Sequence, residues 1–376
     1  MREKAWFTAC LLIVCSANAL AEKVVVIGYA GALSGAQAHF GKDSERGIQL
    51  AIDEINAARP VIAGAPTRFV LDAEDDTADP RIATTVAQGF VDRRVNAVIG
   101  HQSSGTSIAV ARLYAAADIA ELTPSATNTD FTRMGYRTTF RMLANDRFLG
   151  QAMSRYAANE LHVRQVAVID DRTAYGQGLA DVFVDDFTQA GRTVVAREYV
   201  SDKAFDFGAP LTLFKGTTAE AIFFGGVDVQ GGPMLKQMKK LNIGIPLMGG
   251  DALCSQEMGK LAGAALEGNL YCADGGRSLA KMPGGPAFAQ RFEQRYGEPV
   301  QLYAPYAYDA MMAIYHAVSQ QQSADSDKIV EGLHHVAFEG VTGHIAFDDK
   351  GELVTPAATI STFKRGSKVT LAEIVK

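Results

Sequence analysis

The chain has few of the residues that staple a small scaffold. Cysteine occurs four times and tryptophan once in 376 residues, so a fold held by several disulfides is excluded, and this length supplies volume for two buried cores. No run of Lys or Arg exceeds two, and 42 acidic residues outweigh 36 basic ones for a formal net charge of −6. Nucleic acid and other polyanions are poor partners for such a surface. Hydrophobic residues make up 48% and charged residues 21%, which is neither the charge excess of a disordered chain nor the apolar excess of a polytopic membrane protein. No Gly-x-Gly-x-x-Gly follows the opening strand and there is no Walker loop, so nucleotide cofactors have no carrier motif.

What apolar run there is stands at the start. Arg2 and Lys4 make a positive opening, Ala5 to Ser16 is mostly apolar but too short to span a bilayer, and Ala19-Leu20-Ala21 is a small-x-small site before Glu22. Residues 1–21 read as a Sec-type signal peptide, which predicts cleavage and a periplasmic protein. The alternative, a buried N-terminal helix, has no amphipathic face to support it. A lipoprotein would need Cys10 or Cys15 acylated, but Cys10 comes too early and Val14 is too large for the position before Cys15. Cleavage removes Trp6, Cys10 and Cys15. Cys254 and Cys272 remain, and in an oxidising compartment they most simply form one disulfide, with two free buried thiols as the alternative.

From Lys23 the chain alternates strand and helix. Lys23-Val-Val-Val-Ile-Gly28 is a β-branched run ended by glycine, as expected of a strand buried on both faces of a parallel sheet. After a loop rich in small residues, Ile48, Ala51, Ile52 and Ile55 recur at helical spacing. The unit repeats with a strand over 68–73, a helix whose face is Ile82, Val86 and Phe90, a strand over 95–100 and a helix over 104–118. A second series follows: strand 165–170, helix 179–190, strand 193–199, helix 209–215, strand 221–225, helix 233–241 and strand 246–249. No internal repeat and no Gly/Pro/Ser-rich linker separates the two series, which predicts interleaved lobes joined by short crossings. From about Gly276 two helices (286–296 and 303–319) lead into a hairpin-like tail over 343–371.

In open α/β sheets ligands bind beyond the carboxyl ends of the strands. The loops after Gly28, Gly100, Thr123, Asp170, Gly225 and Met248 are therefore where chemistry is expected. His101-Gln102-Ser103-Ser104-Gly105 is one glycine short of a Gly-x-Ser-x-Gly nucleophile elbow, and His316, His334, His335 and His344 are the histidines a hydrolase could draw on. The same segment also suits an anion site, because hydroxyls and free N–H groups meet at a helix start. Thr123-Pro-Ser-Ala-Thr-Asn128 offers hydroxyls and carbonyls to an ammonium group, or is an ordinary cap and turn. Asp251, after Leu247-Met-Gly-Gly, presents a carboxylate at a strand end where glycines admit a ligand, or is a solvated loop residue. Glu74-Asp75-Asp76 with Asp79 lacks the spacing of a calcium loop, Asp348-Asp349-Lys350-Gly351 reads as a turn, and His334-His335 has no accompanying ligand set. Neither metal nor cofactor is indicated.

Taken together, Gly31-Ala-Leu-Ser-Gly35 with Phe40-Gly41, Asp75-Asp76 through Asp79-Pro80, Val98-Ile-Gly-His-Gln-Ser-Ser104, Thr123 to Asn128, Tyr175-Gly-Gln-Gly-Leu-Ala180 and Leu247 to Asp251 resemble, in order and spacing, the periplasmic leucine/isoleucine/valine-binding protein family, the substrate-capture subunits of branched-chain amino acid ABC transporters. The resemblance runs along nearly the whole chain after the signal peptide. It implies an α/β fold of two interleaved, doubly wound lobes with a hinge, the type I periplasmic binding protein. The lobes it implies are 22–144 with 275–352, and 145–274 with 353–376. It also implies a monomer that makes and breaks no bond, delivering its ligand to an inner-membrane permease.

Roles follow position by position from the same resemblance. Ser104 is expected to bind the α-carboxylate of an amino acid, Ser125 and Thr127 to contact both its charged ends, and Tyr175 to reach across when the cleft shuts. Asp251 stands where the family often has a glutamate that pairs with the ammonium. Phe40 and Tyr303 are expected to wall the side-chain pocket. Val227 replaces the aromatic residue that branched-chain binders carry after Gly225-Gly226, which predicts a wider or differently shaped pocket. Binders of amides, urea or aromatic acids share these lobes and form the rival reading, with Asp251 favouring an amino acid.

Overall fold

The computed structural model describes residues 22–375; the predicted signal peptide, with Trp6, Cys10 and Cys15, lies outside them. In the first third of the chain the elements are β1 Lys23–Gly31, α1 Ala38–Ala57, β2 Val61–Ile62, β3 Ala65–Asp75, α2 Pro80–Arg93, β4 Ala97–Ile99, α3 Ser104–Ala116, β5 Ala120–Thr123, α4 Asp130–Arg133 and β6 Thr139–Arg141. The middle third supplies α5 Asp146–Asn159, β7 Gln165–Asp170, α6 Ala174–Gln189, β8 Thr193–Tyr199, α7 Gly208–Lys215, β9 Ala221–Gly225, α8 Asp228–Lys240, β10 Leu247–Gly249, α9 Met258–Ala262 and β11 Leu270–Asp274. The rest comprises α10 Gly285–Tyr296, α11 Ala304–Gln321, α12 Ser326–Leu333, β12 Ala337–Glu339, β13 His344–Ala346, β14 Ala357–Lys364 and β15 Ser367–Val375.

Two sheets organise these elements into two lobes. The first runs β2-β3-β1-β4-β5-β6 and the second β15-β14-β11-β10-β9-β7-β8. The β1, β3, β4, β5 and β6 strands pair in parallel, as do β7 to β11, while β2, β14 and β15 add antiparallel edges. β1 is buried on both faces: Val25, Ile27 and Tyr29 are fully buried on one, and on the other Gly28 and Ala30 are buried against the layer that contains Phe90. Helices α10 and α11 pack back on α1 of the first lobe, and α5 packs against α6, β11 and β14 of the second. The chain therefore passes between lobes three times, after β6, after β11 and before β14. The crossings are bonded to one another and to the strand ends: the Ala144 N–H donates to the Gly275 carbonyl at 2.9 Å and the Met142 N–H to the Thr123 carbonyl at 3.0 Å.

Two expectations change in the structure. The buried face of α2 is Ala83, Ala87 and Phe90, one residue on from Ile82 and Val86, and Ile82 is 41% exposed. Alanine at these positions lets the helix approach closely, and Phe90 lies over Gly28, where an added Cβ would stand 3.2 Å from the ring. Helix α8 starts at Asp228 and not near Pro233. The Asp228 carboxylate accepts the Val229 N–H at 2.7 Å, so the start is set by an acidic first residue and the proline lies inside the helix. Cys254, after β10, is joined to Cys272 on β11, and both are fully buried. The turn at Asp348–Gly351 forms, with the Gly351 N–H donating to the Asp348 carbonyl at 2.9 Å.

A candidate ligand-binding cleft

Strand order fixes where the loops diverge. In the first sheet the chain leaves β1 to one side for β3 and returns on the other for β4, so the loops after β1 and β4 splay apart; in the second, β8 and β9 flank β7 and the loops after β7 and β9 do the same. These are topological switch points, the places where such sheets leave a crevice. The two crevices face each other and enclose a cavity of about 390 Å³. Gln37, Phe40, Gln102, Ser103, Ser104, Ser125 and Tyr303 line it from the first lobe, and Asp171 to Tyr175, Asp202, Val227 and Ala252 from the second.

One wall is the start of α3. Ser103 is its N-cap: its Oγ accepts the Thr106 N–H at 3.2 Å, and the Thr106 hydroxyl accepts the Ser103 N–H at 3.2 Å, a reciprocal cap. Ser104 follows as the first helical residue. Its Oγ accepts the Asn128 N–H at 3.2 Å, which leaves its proton to be donated. The N–H groups of the first helical turn have no partner within the helix and face the same way. Ser125 donates to the Gln102 carbonyl at 2.7 Å, which holds its oxygen lone pairs for the cavity. A carboxylate placed here meets the Ser104 hydroxyl as donor and a helix N-terminus, while the Ser125 oxygen is left to accept.

Across the cavity stand two phenols. Tyr175, in the first turn of α6, donates to Asp251 Oδ1 at 2.8 Å, and Tyr303, at the start of α11, donates to Asp251 Oδ2 at 2.8 Å. The Ala252 N–H donates back to the Tyr175 oxygen at 3.3 Å. Asp251 is 1% exposed, and burial pushes its pKa up to about 6 against the two phenol hydrogen bonds that lower it. Its negative charge at neutral pH therefore sits behind two tyrosines that line the cavity.

Of the residues expected from the sequence, the structure brings Ser104, Ser125, Tyr175, Phe40, Val227 and Tyr303 onto one lining. Thr127 and Asp251 are outside it: Thr127 is fully buried with an unpaired hydroxyl, and Asp251 is screened by its two phenols. Val227 caps α8 without a side-chain bond, so the wall at that point is only as thick as an isopropyl group. The hydrolase elbow is not assembled. Ser103 is committed to the helix cap, and His101, fully buried, points into the core between Asp76 (2.8 Å) and Tyr114 (3.0 Å). His334 is bonded to the Arg137 carbonyl and His344 to Glu339. No group of three or more metal-ligating side chains occurs among the described residues, and no described helix is long and apolar enough to cross a membrane.

Residues 24–368 match the family model described as periplasmic binding protein. The chain belongs to the periplasmic binding protein family. An "Amino acid binding protein" of Pseudomonas aeruginosa is 32% identical over 339 residues, covering 90% of this chain and 89% of the relative. A second protein of that organism, named for binding leucine, isoleucine, valine, threonine and alanine, is 29% identical over 347 residues, covering 92% of each. The crystal structure of a branched-chain amino acid transporter substrate-binding protein from Streptococcus pneumoniae, in complex with isoleucine, superposes with a TM-score of 0.84 at 29% identity, covering 94% of this chain and 99% of that one. The fold is the type I periplasmic binding protein.

Several groups in this periplasmic binding protein's cleft carry no signal in its sequence. Asp171 lines the cavity; burial pushes its pKa up to about 6, while the Thr173 hydroxyl (2.6 Å) and N–H (2.9 Å) donate to its Oδ1. Arg172 and Asp202 line the same end, and the Arg172 guanidinium lies 3.9 Å over the Tyr199 ring. Behind the lining, Asp146, the first residue of α5, is buried; burial pushes its pKa up to about 8, the Thr127 hydroxyl works against the rise and the Asp251 charge adds to it. It therefore carries a proton at neutral pH. Only the loop after Asp170 could have been found, from its place at a strand end; Asp146 and Asp202 are ordinary acidic residues in the sequence.

Proposed function

We propose that the protein is the substrate-binding subunit of an ABC importer and that it captures an α-amino acid with an apolar side chain, branched-chain ones first, by closing its lobes on it. The observation that carries this reading is the pairing of opposite chemistries on facing walls. Ser104 and the start of α3 suit the α-carboxylate; Tyr175 and Tyr303, with the Asp251 charge behind them, suit the ammonium. The phenol oxygens accept from the ammonium while Asp251 supplies the countercharge. Phe40, Val227 and the aliphatic edge of the cavity surround the side chain.

Binding needs no bond to form or break. A ligand that touches both walls stabilises the closed state over the open one, and only that difference drives closure. The lobes that move are 22–144 with 275–352 and 145–274 with 353–376, hinged at the three crossings. Cleavage after Ala21 releases the mature protein into the periplasm, where it acts as a monomer and hands its ligand to a membrane permease. The names of the relatives support an amino acid, and the capped Ser103 supports a binding protein over an acyl-transfer enzyme.

A thermal-shift screen of the mature protein against the twenty amino acids, amides, urea and aromatic acids tests the reading, because a ligand that binds only the folded form raises its melting temperature. A shift with leucine, isoleucine or valine is expected. Silence from every α-amino acid beside a response to an amide or aromatic acid would overturn the ligand class and leave the fold standing.

A further inference from the structure

Besides Tyr303–Asp251 and the Asn128 amide that donates to the Ala174 carbonyl, a polar contact crosses between the lobes outside the cavity lining. His39, in the first turn of α1, places Nε2 2.8 Å from Oδ2 of Asp228, the first residue of α8 in the other lobe. Asp228 is fully buried, its Oδ1 is fixed by the Val229 N–H at 2.7 Å, and its Oδ2 also accepts the Ser255 hydroxyl. The His39 ring lies 4.0 Å, centroid to centroid, from that of Phe40, whose ring lines the cavity and meets Tyr303 at 5.3 Å. We infer that His39 and Asp228 form an interlobe latch, a pair of positioning residues that holds the closed cleft without touching the ligand. The inference rests on the hinge-closure reading given above.

The physical reason is desolvation. Closing the lobes takes the Asp228 carboxylate out of water, and a buried carboxylate is tolerated only when it is paired and hydrogen-bonded. His39 is the partner that arrives from the other lobe. The groups facing its ring are Asp228 on α8 and, ahead of α9, Glu257; on its own helix Lys42 is exposed one turn on, and Asp43 is turned to the N–H groups of residues 301–304. Burial lowers the His39 pKa, but the Asp228 hydrogen bond and charge, with Glu257, outweigh it and leave it above the ordinary histidine value. A raised pKa in the closed state means that protonation favours closure; the benefit is present at low pH and is lost as pH rises through that pKa.

The test uses the mature protein labelled for energy transfer at Thr85→Cys and Asp185→Cys, two exposed positions on opposite lobes, with the native cysteines held in their disulfide. Transfer is followed without ligand and, after loading with the best amino acid of the screen, during release into excess competitor, at pH 6.5 and 8.5. His39→Leu is expected to speed release at pH 6.5 about tenfold or more, as for loss of a charge-assisted hydrogen bond, and to lower the closed fraction without ligand. His39→Gln, which keeps a donor but cannot titrate, is expected to recover part of the slow release and to lose the pH dependence that His39 confers; whatever slope survives belongs to other groups such as Asp146. Ser255→Ala is expected to act in the same direction as His39→Leu, more weakly. Release and ligand-free transfer in His39→Leu equal to wild type at both pH values would overturn the latch while the binding reading stands. If the wild type binds no amino acid, that reading fails, and ligand-free transfer in His39→Leu alone decides the latch.

Discussion

Tyr303 of the first lobe donates its hydroxyl to Asp251 of the second across 2.8 Å, and Tyr175 donates to the other oxygen of the same carboxylate at 2.8 Å. One buried negative charge thus reads both the closure of the cleft and the electrostatics of its far wall. Asp251→Asn keeps the size and removes the charge, so its amide no longer attracts an ammonium. It is expected to weaken amino-acid binding by about 2–3 kcal/mol, roughly 30- to 150-fold, by calorimetric titration. Tyr303→Phe is expected to lose less, because Tyr175 still holds the carboxylate.

The same carboxylate sets a lower pH limit for binding. With its pKa pushed up to about 6 by burial, Asp251 is ionised at pH 7 and becomes neutral as pH falls through 6, when its attraction for an ammonium is lost. Affinity measured between pH 7.5 and 5 is expected to fall on the acid side, and Asp251→Asn to flatten that limb.

Asp146 has the opposite consequence for stability. Its folded-state pKa, about 8, lies above the ordinary aspartate value, so the folded protein holds a proton that the unfolded chain releases. That contribution is full below the unfolded pKa, about 4, and is lost as pH rises through 8. The melting temperature of the ligand-free protein is expected to drop between pH 7 and 9, and Asp146→Asn to reduce the drop.

Val227 sets the reach of the side-chain pocket. It lines the cavity from the cap of α8, and Val227→Phe fills space that a ligand side chain would otherwise enter. Affinity for the largest apolar amino acids is expected to fall about tenfold or more relative to valine, read from competition titrations.

The Cys254–Cys272 disulfide closes a short loop between β10 and β11. Removing it with Cys254→Ser and Cys272→Ser together is expected to cost about 3 kcal/mol in urea unfolding, on the loop-entropy argument, with ligand affinity at 25 °C little changed.

Much of this arrangement is written in local pattern. The glycine-ended apolar runs mark β1, β4 and β9 because strands buried on both faces need no alternation, and the loops after β4, β5, β7 and β9 carry Ser104, Ser125, Tyr175 and Val227 to one cavity. Ile82 and Val86 are more apolar than Ala83 and Ala87 and dominate the α2 pattern in sequence, yet close packing on Gly28 selects the smaller residues for the buried face. Proline is common at helix starts, which draws the expected start of α8 to Pro233, but Asp228 opens the helix and the proline lies inside it. Helices α5 and α12 and strand β11 carry no expectation in the sequence analysis, although Leu149, Ala152 and Met153 in α5 and Ile329, Val330 and Leu333 in α12 recur at helical spacing and mark their buried faces. Asp146, Asp202 and the His39–Asp228 contact depend on which segments meet across the cleft, and that is a property of the crossings, invisible to any local window.

The most direct measurement is calorimetric titration of the mature protein with leucine and two relatives of it, 4-methylpentanoate, which lacks the ammonium, and leucinamide, which lacks the carboxylate. If both walls hold the ligand by its charged ends, leucine binds and each relative is weaker by roughly 30-fold or more, since each leaves buried polar groups without a partner. Equal binding of 4-methylpentanoate and leucine, or no heat from leucine or any other α-amino acid, would contradict the account.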